Sequence, residues 1–178
     1  PTGEIVMEDC RVPEENVLGL ENNGVAVMMR GLDVERAFYA GEAVGIAQGA
    51  FDLALQYAKE REQFGQPIGS FQLIQAKLSD MYADIEAGRL LCYKAAQLSR
   101  DAERGGKGTE IHKLAAASLM FNALMCNRVV DEAVQIHGGY GYSMEYPVNR
   151  FYRDARLLTI GAGTTEIRQL IIARELLK

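Results

Sequence analysis

Hydrophobic positions recur at helical spacing over most of this chain. Between about Ser70 and Arg104, Leu78, Met81, Ile85 and then Leu90 with Leu91 return at three- to five-residue steps, which lays them along one side of a helix. A helix is likewise expected from Asn22 or Asn23, either of which can cap its start, to about Phe64, with Gly31-Leu32-Asp33 as the place for a kink or a restart. Gly65 and Pro67 stop that segment, and Gly105-Gly106-Lys107-Gly108 stops the next. A third helix spans about Thr109 to His137; its Ala115-Ala116-Ala117 run permits close helix contact, and Gly138-Gly139 reads as its C-cap. After a loop containing Pro147, a last helix runs from about Thr164 to Leu177, opened by Thr164-Thr165-Glu166, hydroxyl caps followed by a first-turn carboxylate. The stretch from Ile5 to Pro13 reads as a short extended segment, closed by an Asn16-Val17-Leu18-Gly19 turn. Four substantial helices with short breaks predict an all-α fold, an antiparallel four-helix bundle over residues 21–178, preceded by a short segment of different character over residues 1–20.

Composition narrows the function classes. With 178 residues, 48% hydrophobic and 24% charged, the chain is an ordinary globular domain with room for one core. A formal charge of −5 offers no broad basic field to nucleic acid or to an anionic membrane surface. No run approaches the roughly 18 apolar residues of a membrane span. Cys10, Cys92 and Cys126 are an odd, widely spaced trio, read as free thiols in a reducing compartment rather than as a disulfide framework. Two histidines, His112 and His137, are too few and too far apart for a metal site or a His-based triad.

Taken alone, the candidate chemical residues have bland readings. Glu35, in Leu32-Asp33-Val34-Glu35-Arg36, is a helix-surface charge, and Glu42 lies seven residues on, about two turns, and so on the same side. Glu42 is either a second pocket carboxylate or simply exposed. Asp33 and Arg36 read as a local ion pair worth little. Gly161-Ala162-Gly163 is a glycine-containing loop before a capped helix. Arg150, Arg153, Asp154 and Arg156 read as an ion-pair network or a subunit contact.

Four motifs, in order and at matching spacing, change this. Arg61-Glu62-Gln63-Phe64-Gly65-Gln66-Pro67-Ile68 with Phe71-Gln72, then Gln135-Ile136-His137-Gly138-Gly139-Tyr140-Gly141-Tyr142, then Arg150-Phe151-Tyr152-Arg153-Asp154-Ala155-Arg156, then Leu157-Leu158-Thr159-Ile160-Gly161-Ala162-Gly163-Thr164-Thr165-Glu166-Ile167-Arg168 resemble the acyl-CoA dehydrogenase family. Most members of that family carry the catalytic Glu in the place of Ala162. Ala162 cannot take a proton, and the pairing of a non-carboxylate there with Glu35 resembles the isovaleryl-CoA branch.

The resemblance implies a set of roles. Glu35 is the base that removes the proton α to the thioester. Asp33, Val34 and Arg36 contact the substrate, Arg36 by its charge and Asp33 as an acceptor for the CoA portion. Ala162 keeps its main-chain N–H, which with a ribityl hydroxyl of FAD holds the thioester oxygen, and Gly163 lets backbone and substrate come close. Arg61 pairs with the FAD pyrophosphate, while Gln72 and Gln135, Ile136, His137, Gly138 and Gly139 match residues at the adenosine-diphosphate end, much of this contact being made to a neighbouring subunit's flavin. His137 is read there as contact or packing. Thr164, Thr165 and Glu166 complete the flavin set at a helix N-terminus.

By the same resemblance the function is FAD-dependent α,β-dehydrogenation of a short branched acyl-CoA to a trans-2-enoyl-CoA. Electrons go on to an electron-transfer flavoprotein, from a dimer or tetramer in the bacterial cytoplasm or mitochondrial matrix. Residues 1–20 match the close of a middle β-domain, which implies further domains outside these 178 residues. Two alternatives stay open: an acyl-CoA oxidase of the same fold, and a non-catalytic helical assembly module.

Overall fold

Six small residues, Ala40, Ala43, Ala47, Ala50, Ala54 and Ala58, stand buried at steps of three and four, and this stripe lets the first long helix enter the middle of the bundle. The computed structural model describes residues 3–101 and 108–178. Helix α1 (Gly24–Glu60) is unbroken, so the expected kink at Gly31-Leu32-Asp33 does not occur. One helical glycine costs only about 1 kcal/mol, and no proline removes a backbone donor there. Asn23 occupies the N-cap position without a side-chain capping bond. The helix stops at Glu60 rather than Phe64, because Phe64 and Gly65 both adopt positive φ (54° and 78°) in the tight turn between β1 (Glu62–Gln63) and β2 (Gln66–Pro67).

Helix α2 (Gln72–Asp101) returns along α1, and α3 (Glu110–His137) returns along both. The pairs Lys77–Glu132 and Arg128–Asp84, the latter at 2.9 Å, fix α2 and α3 antiparallel. Thr109 caps α3, its hydroxyl accepting from the His112 N–H at 3.2 Å. Gly138 ends it at φ +59°, in the conformation that favours glycine. The expected end of the second helix at Arg104 and the break through Gly105, Gly106 and Lys107 lie outside the described residues.

The stretch expected to be a loop around Pro147 is instead largely helical. A short α4 (Gly139–Tyr142) follows Gly138, and α5 (Pro147–Leu157) starts with Pro147 in its first turn, where the missing N–H costs nothing and the ring presets φ. The fourth position of the bundle is shared by α5 and α6 (Thr165–Leu176), joined by the bend described below. Residues 3–13 form no strand, and Glu14–Asn16 make a 3₁₀ turn. No helix is long and apolar enough to cross a membrane among the described residues.

The core joins the α1 stripe to Leu119, Ala123, Met125, Cys126, Val129, Val130 and Ala133 of α3. Burial pushes the Cys126 thiol up to about 12 and raises Cys92 as well. Since the thiolate is the reactive form, an alkylating reagent at pH 8 is expected to modify exposed Cys10 first and to spare Cys126 until unfolding. Mass spectrometry of the labelled native protein checks this, and rapid labelling of Cys126 would contradict the packing described.

Candidate active site

The bend between α5 and α6 is built from residues that few sequences tolerate together. Ala162 and Gly163 take successive positive φ values, 53° and 93°, and for a residue with a Cβ that conformation costs roughly 1–2 kcal/mol. Strain of this kind persists only where surroundings hold it. Thr164 caps α6, its hydroxyl accepting from the Ile167 N–H at 3.4 Å, and Thr165 returns to the Thr159 carbonyl through its N–H at 3.1 Å. Arg168, one turn into α6, is fully buried and donates from Nη2 to the carbonyls of Leu158, at 2.9 Å, and Gly161.

Helix α1 meets this bend from the other side. Arg36 is 3% exposed and donates from Nε to the Ala162 carbonyl at 3.2 Å. A Cβ at Gly163 would lie 3.5 Å from an Arg36 guanidinium nitrogen, and one at Gly161 would lie 3.6 Å from the Tyr39 hydroxyl. The Arg36 guanidinium therefore packs inward against the bend; the resemblance assigns this residue to the CoA portion of the substrate. Glu35, one residue earlier, is exposed, as are Val34 and Glu42. The Asp33 side chain lies outside what the structure describes.

Charges converge here. Burial raises the Tyr39 hydroxyl, with further upward pressure from Glu42, an opposing pull from Arg168 and a smaller upward push from Glu35. Burial lowers Arg168, and the Arg36 cation lowers it further. Glu166 is held below the usual carboxylate range by its own backbone N–H and the Thr164 hydroxyl at the start of α6.

A second cluster occupies the far end of α1. Tyr57, Arg61, Ile136, His137, Gly138, Gly139 and Tyr140 line a cleft of about 600 Å³. His137 is buried, stacked on Tyr57 at 4.4 Å, with Nδ1 2.7 Å from the Ala133 carbonyl, so its ring packs rather than projects. The Arg61 guanidinium lies 5.7 Å over the Tyr140 ring, and a Cβ at Gly138 or Gly139 would meet nothing. A cation beside open backbone suits a diphosphate, and these residues fit the pyrophosphate of FAD. Gln135 is exposed, and Gln72 sits at the start of α2 beside Phe64 and Phe71. The expected flavin residues thus fall into two groups. Arg61, Gln72 and Gln135–Gly139 lie at the C-terminal end of α1, and Thr164–Glu166 follow the bend that Arg36 meets, about 37 Å back along the helix axis from Arg61.

Arg168 is the residue that the motif reading passed over. Its signal was present: a cation in the first turns of a helix opposes the helix dipole and so calls for a compensating contact.

Residues 22–177 match the family model described as acyl-CoA dehydrogenase, C-terminal domain. The chain is 48% identical over 177 residues to the mitochondrial isovaleryl-CoA dehydrogenase of Oryza sativa subsp. japonica, covering 99% of this chain and 42% of that protein. It is 45% identical to a subunit of the caffeyl-CoA reductase-Etf complex of Acetobacterium woodii, again over 99% of this chain and 45% of that protein. The solved butyryl-CoA dehydrogenase of Megasphaera elsdenii superimposes with a TM-score of 0.89 at 43% identity, over 97% of this chain and 44% of that one. The chain therefore spans somewhat less than half the length of these relatives. With the all-α bundle, the glycine-bordered bend and the matched sequence in agreement, this chain belongs to the acyl-CoA dehydrogenase family, and its residues 22–177 correspond to that family's C-terminal domain.

Proposed function

We propose that this chain supplies the base, the main-chain oxyanion donor and part of the flavin-binding surface of an acyl-CoA dehydrogenase acting on a short, branched acyl-CoA. The observation that carries the reading is the hydrogen bond from Arg36 Nε to the Ala162 carbonyl, 3.2 Å. It ties the turn of α1 that bears Glu35 to the bend whose Ala162 N–H, in this reading, holds the thioester oxygen. Polarising that carbonyl acidifies the α-carbon, Glu35 takes the α-proton, and a trans-2-enoyl-CoA results. Bound FAD supplies the acceptor for the β-hydrogen as hydride.

Glu35 is exposed in this chain, so the groups that shield it from water come from outside these residues, with the acyl group and the flavin foremost. Arg36 supports the bend, and its contribution to substrate binding is made through that support. The two groups of flavin-matching residues lie farther apart than one dinucleotide reaches. This supports an oligomer in which the Arg61–Gly139 end serves a flavin held mainly by a neighbouring subunit. The A. woodii relative's place in an Etf complex supports an electron-transfer flavoprotein as the acceptor of the electrons. Ala162 in place of a longer side chain leaves room beside the acyl chain, which favours branching.

Anaerobic mixing of the flavin-loaded whole protein with isovaleryl-CoA tests this. Bleaching of the flavin is expected to be faster than with straight-chain acyl-CoA of equal or greater length, and reoxidation by air to be slow. Preference for a long straight chain would remove the branched assignment, and fast reoxidation would make the protein an oxidase.

A further inference from the structure

Arg168 is a buried cation with an unusual set of partners. It is fully buried, and its only acceptors among the described residues are the carbonyls of Leu158 and Gly161. Nε and Nη1 have no acceptor there. Burying a charge without a carboxylate is expensive, and a hydrophobic residue of similar volume would serve packing at least as well. The contact to Gly161 is what gives this expense a use.

The Gly161 carbonyl and the Ala162 N–H are the two ends of one peptide unit. No peptide bond in the described chain is cis, so the two point to opposite sides of that unit. With the carbonyl end turned to Arg168 in the interior, the N–H end faces away from it, and no acceptor among the described residues engages that N–H. A cation donating to an amide oxygen draws electron density through the conjugated unit and makes the N–H at its other end a stronger donor. The Arg36 bond to the next carbonyl, Ala162, holds the following peptide still and so keeps that N–H aimed.

We propose that Arg168 is a positioning residue that strengthens the Ala162 N–H as a donor to the thioester oxygen, acting through the peptide unit joining Gly161 to Ala162. The inference rests on the reading of this bend as the thioester-carbonyl site. In this role Arg168 acts from the buried side of the bend and needs no contact with substrate or flavin. It sets the direction and the strength of a main-chain donor that no side-chain substitution at position 162 except proline removes. Its simpler role, tying down the last carbonyls of α5, requires a donor but not a charge.

Two substitutions separate these. Arg168→Gln keeps a neutral donor for the carbonyls and removes the cation; Arg168→Lys keeps the cation. In the flavin-loaded whole protein, each is titrated with a bound 3-oxoacyl-CoA, whose enolate is read by its ultraviolet absorbance, alongside kcat and KM for the acyl-CoA substrate. In the wild type the bound ligand is expected to enolise at lower pH than the free ligand. In R168Q the enolate fraction at a given pH is expected to fall about tenfold and kcat about ten- to a hundredfold, with KM little changed, whereas R168K stays within a few-fold of wild type. R168Q and R168K alike in the enolate titration, or either failing to load flavin, would overturn the role of Arg168 and leave it a structural tie. A wild-type protein that binds the ligand without favouring its enolate would instead overturn the reading of the bend, and the Arg168 inference with it.

Discussion

Replacing Glu35 by Gln is expected to lower the rate of dehydrogenation in the flavin-loaded protein by about three to four orders of magnitude, while flavin content and acyl-CoA affinity stay near wild type. Gln matches Glu in shape and retains hydrogen bonding, so the loss isolates the proton acceptor. The geometry explains why no substitute is at hand. Ala162 has no titratable group, Arg36 and Arg168 are cations, and the Tyr39 hydroxyl is held further from ionisation by its burial. Glu42 shares the exposed side of α1 and lies two turns on. Stopped-flow measurement of flavin bleaching checks the pair: Glu42→Gln is expected to retain most of the rate. A dead Glu42→Gln beside an active Glu35→Gln would reverse the assignment.

The largest effect on folding is expected at Gly88, where α2 packs tightly on Asn122 and Met125 of α3. A Cβ there would lie 2.3 Å from Asn122 Oδ1 and 2.9 Å from Met125 Cε. Asn122 cannot simply swing aside, because it is fully buried and its Nδ2 donates to the Ser118 carbonyl at 2.9 Å. Alanine is the better helix former by about 1 kcal/mol, but overpacking a close helix crossing costs roughly 1–3 kcal/mol and here also disturbs a buried amide. The clash wins, and Gly88→Ala is expected to be destabilising by about 2 kcal/mol, a fall in Tm of about 4–8 °C for a domain of this size. The helical Gly45, exposed and with nothing within 4 Å of a Cβ, supplies the contrast: Ala there is expected to be neutral or stabilising. Calorimetry on both variants decides the point, and an unchanged or raised Tm for Gly88→Ala would show that the crossing has more slack than its contacts allow.

The three long helices and the final one were legible in the chain because their signals are local. Thr109 and Thr164 sit where hydroxyls cap helices, Gly138 where only glycine is at ease, and the apolar steps from Leu78 to Leu91 mark one face. Helix α5 was not, because Arg150, Arg153, Asp154 and Arg156 read as a charge cluster and Pro147 as part of a loop, although the segment alternates polar and apolar residues at helical spacing. Pro147 sits in the first turn of α5, where a proline starts a helix and does not interrupt it. The supposed kink at Gly31 failed in the opposite direction, since a single weak helix former is outvoted by the turns on either side.

By itself, the order of residues determined an all-helical chain, its family, and the absence of a carboxylate at the signature bend, all of which depend on residue identity and short-range spacing. Only the tertiary structure decided that Arg36 and Arg168 converge on that bend from two helices, that both present cations to its carbonyls, and that the flavin-matching residues divide between the C-terminal end of α1 and the bend far back along it. The reason is physical. Arg36 and Ala162 are 126 residues apart in the chain and meet at 3.2 Å through packing alone. The direction of a buried guanidinium is set by which carbonyls it can reach, and no local pattern encodes that.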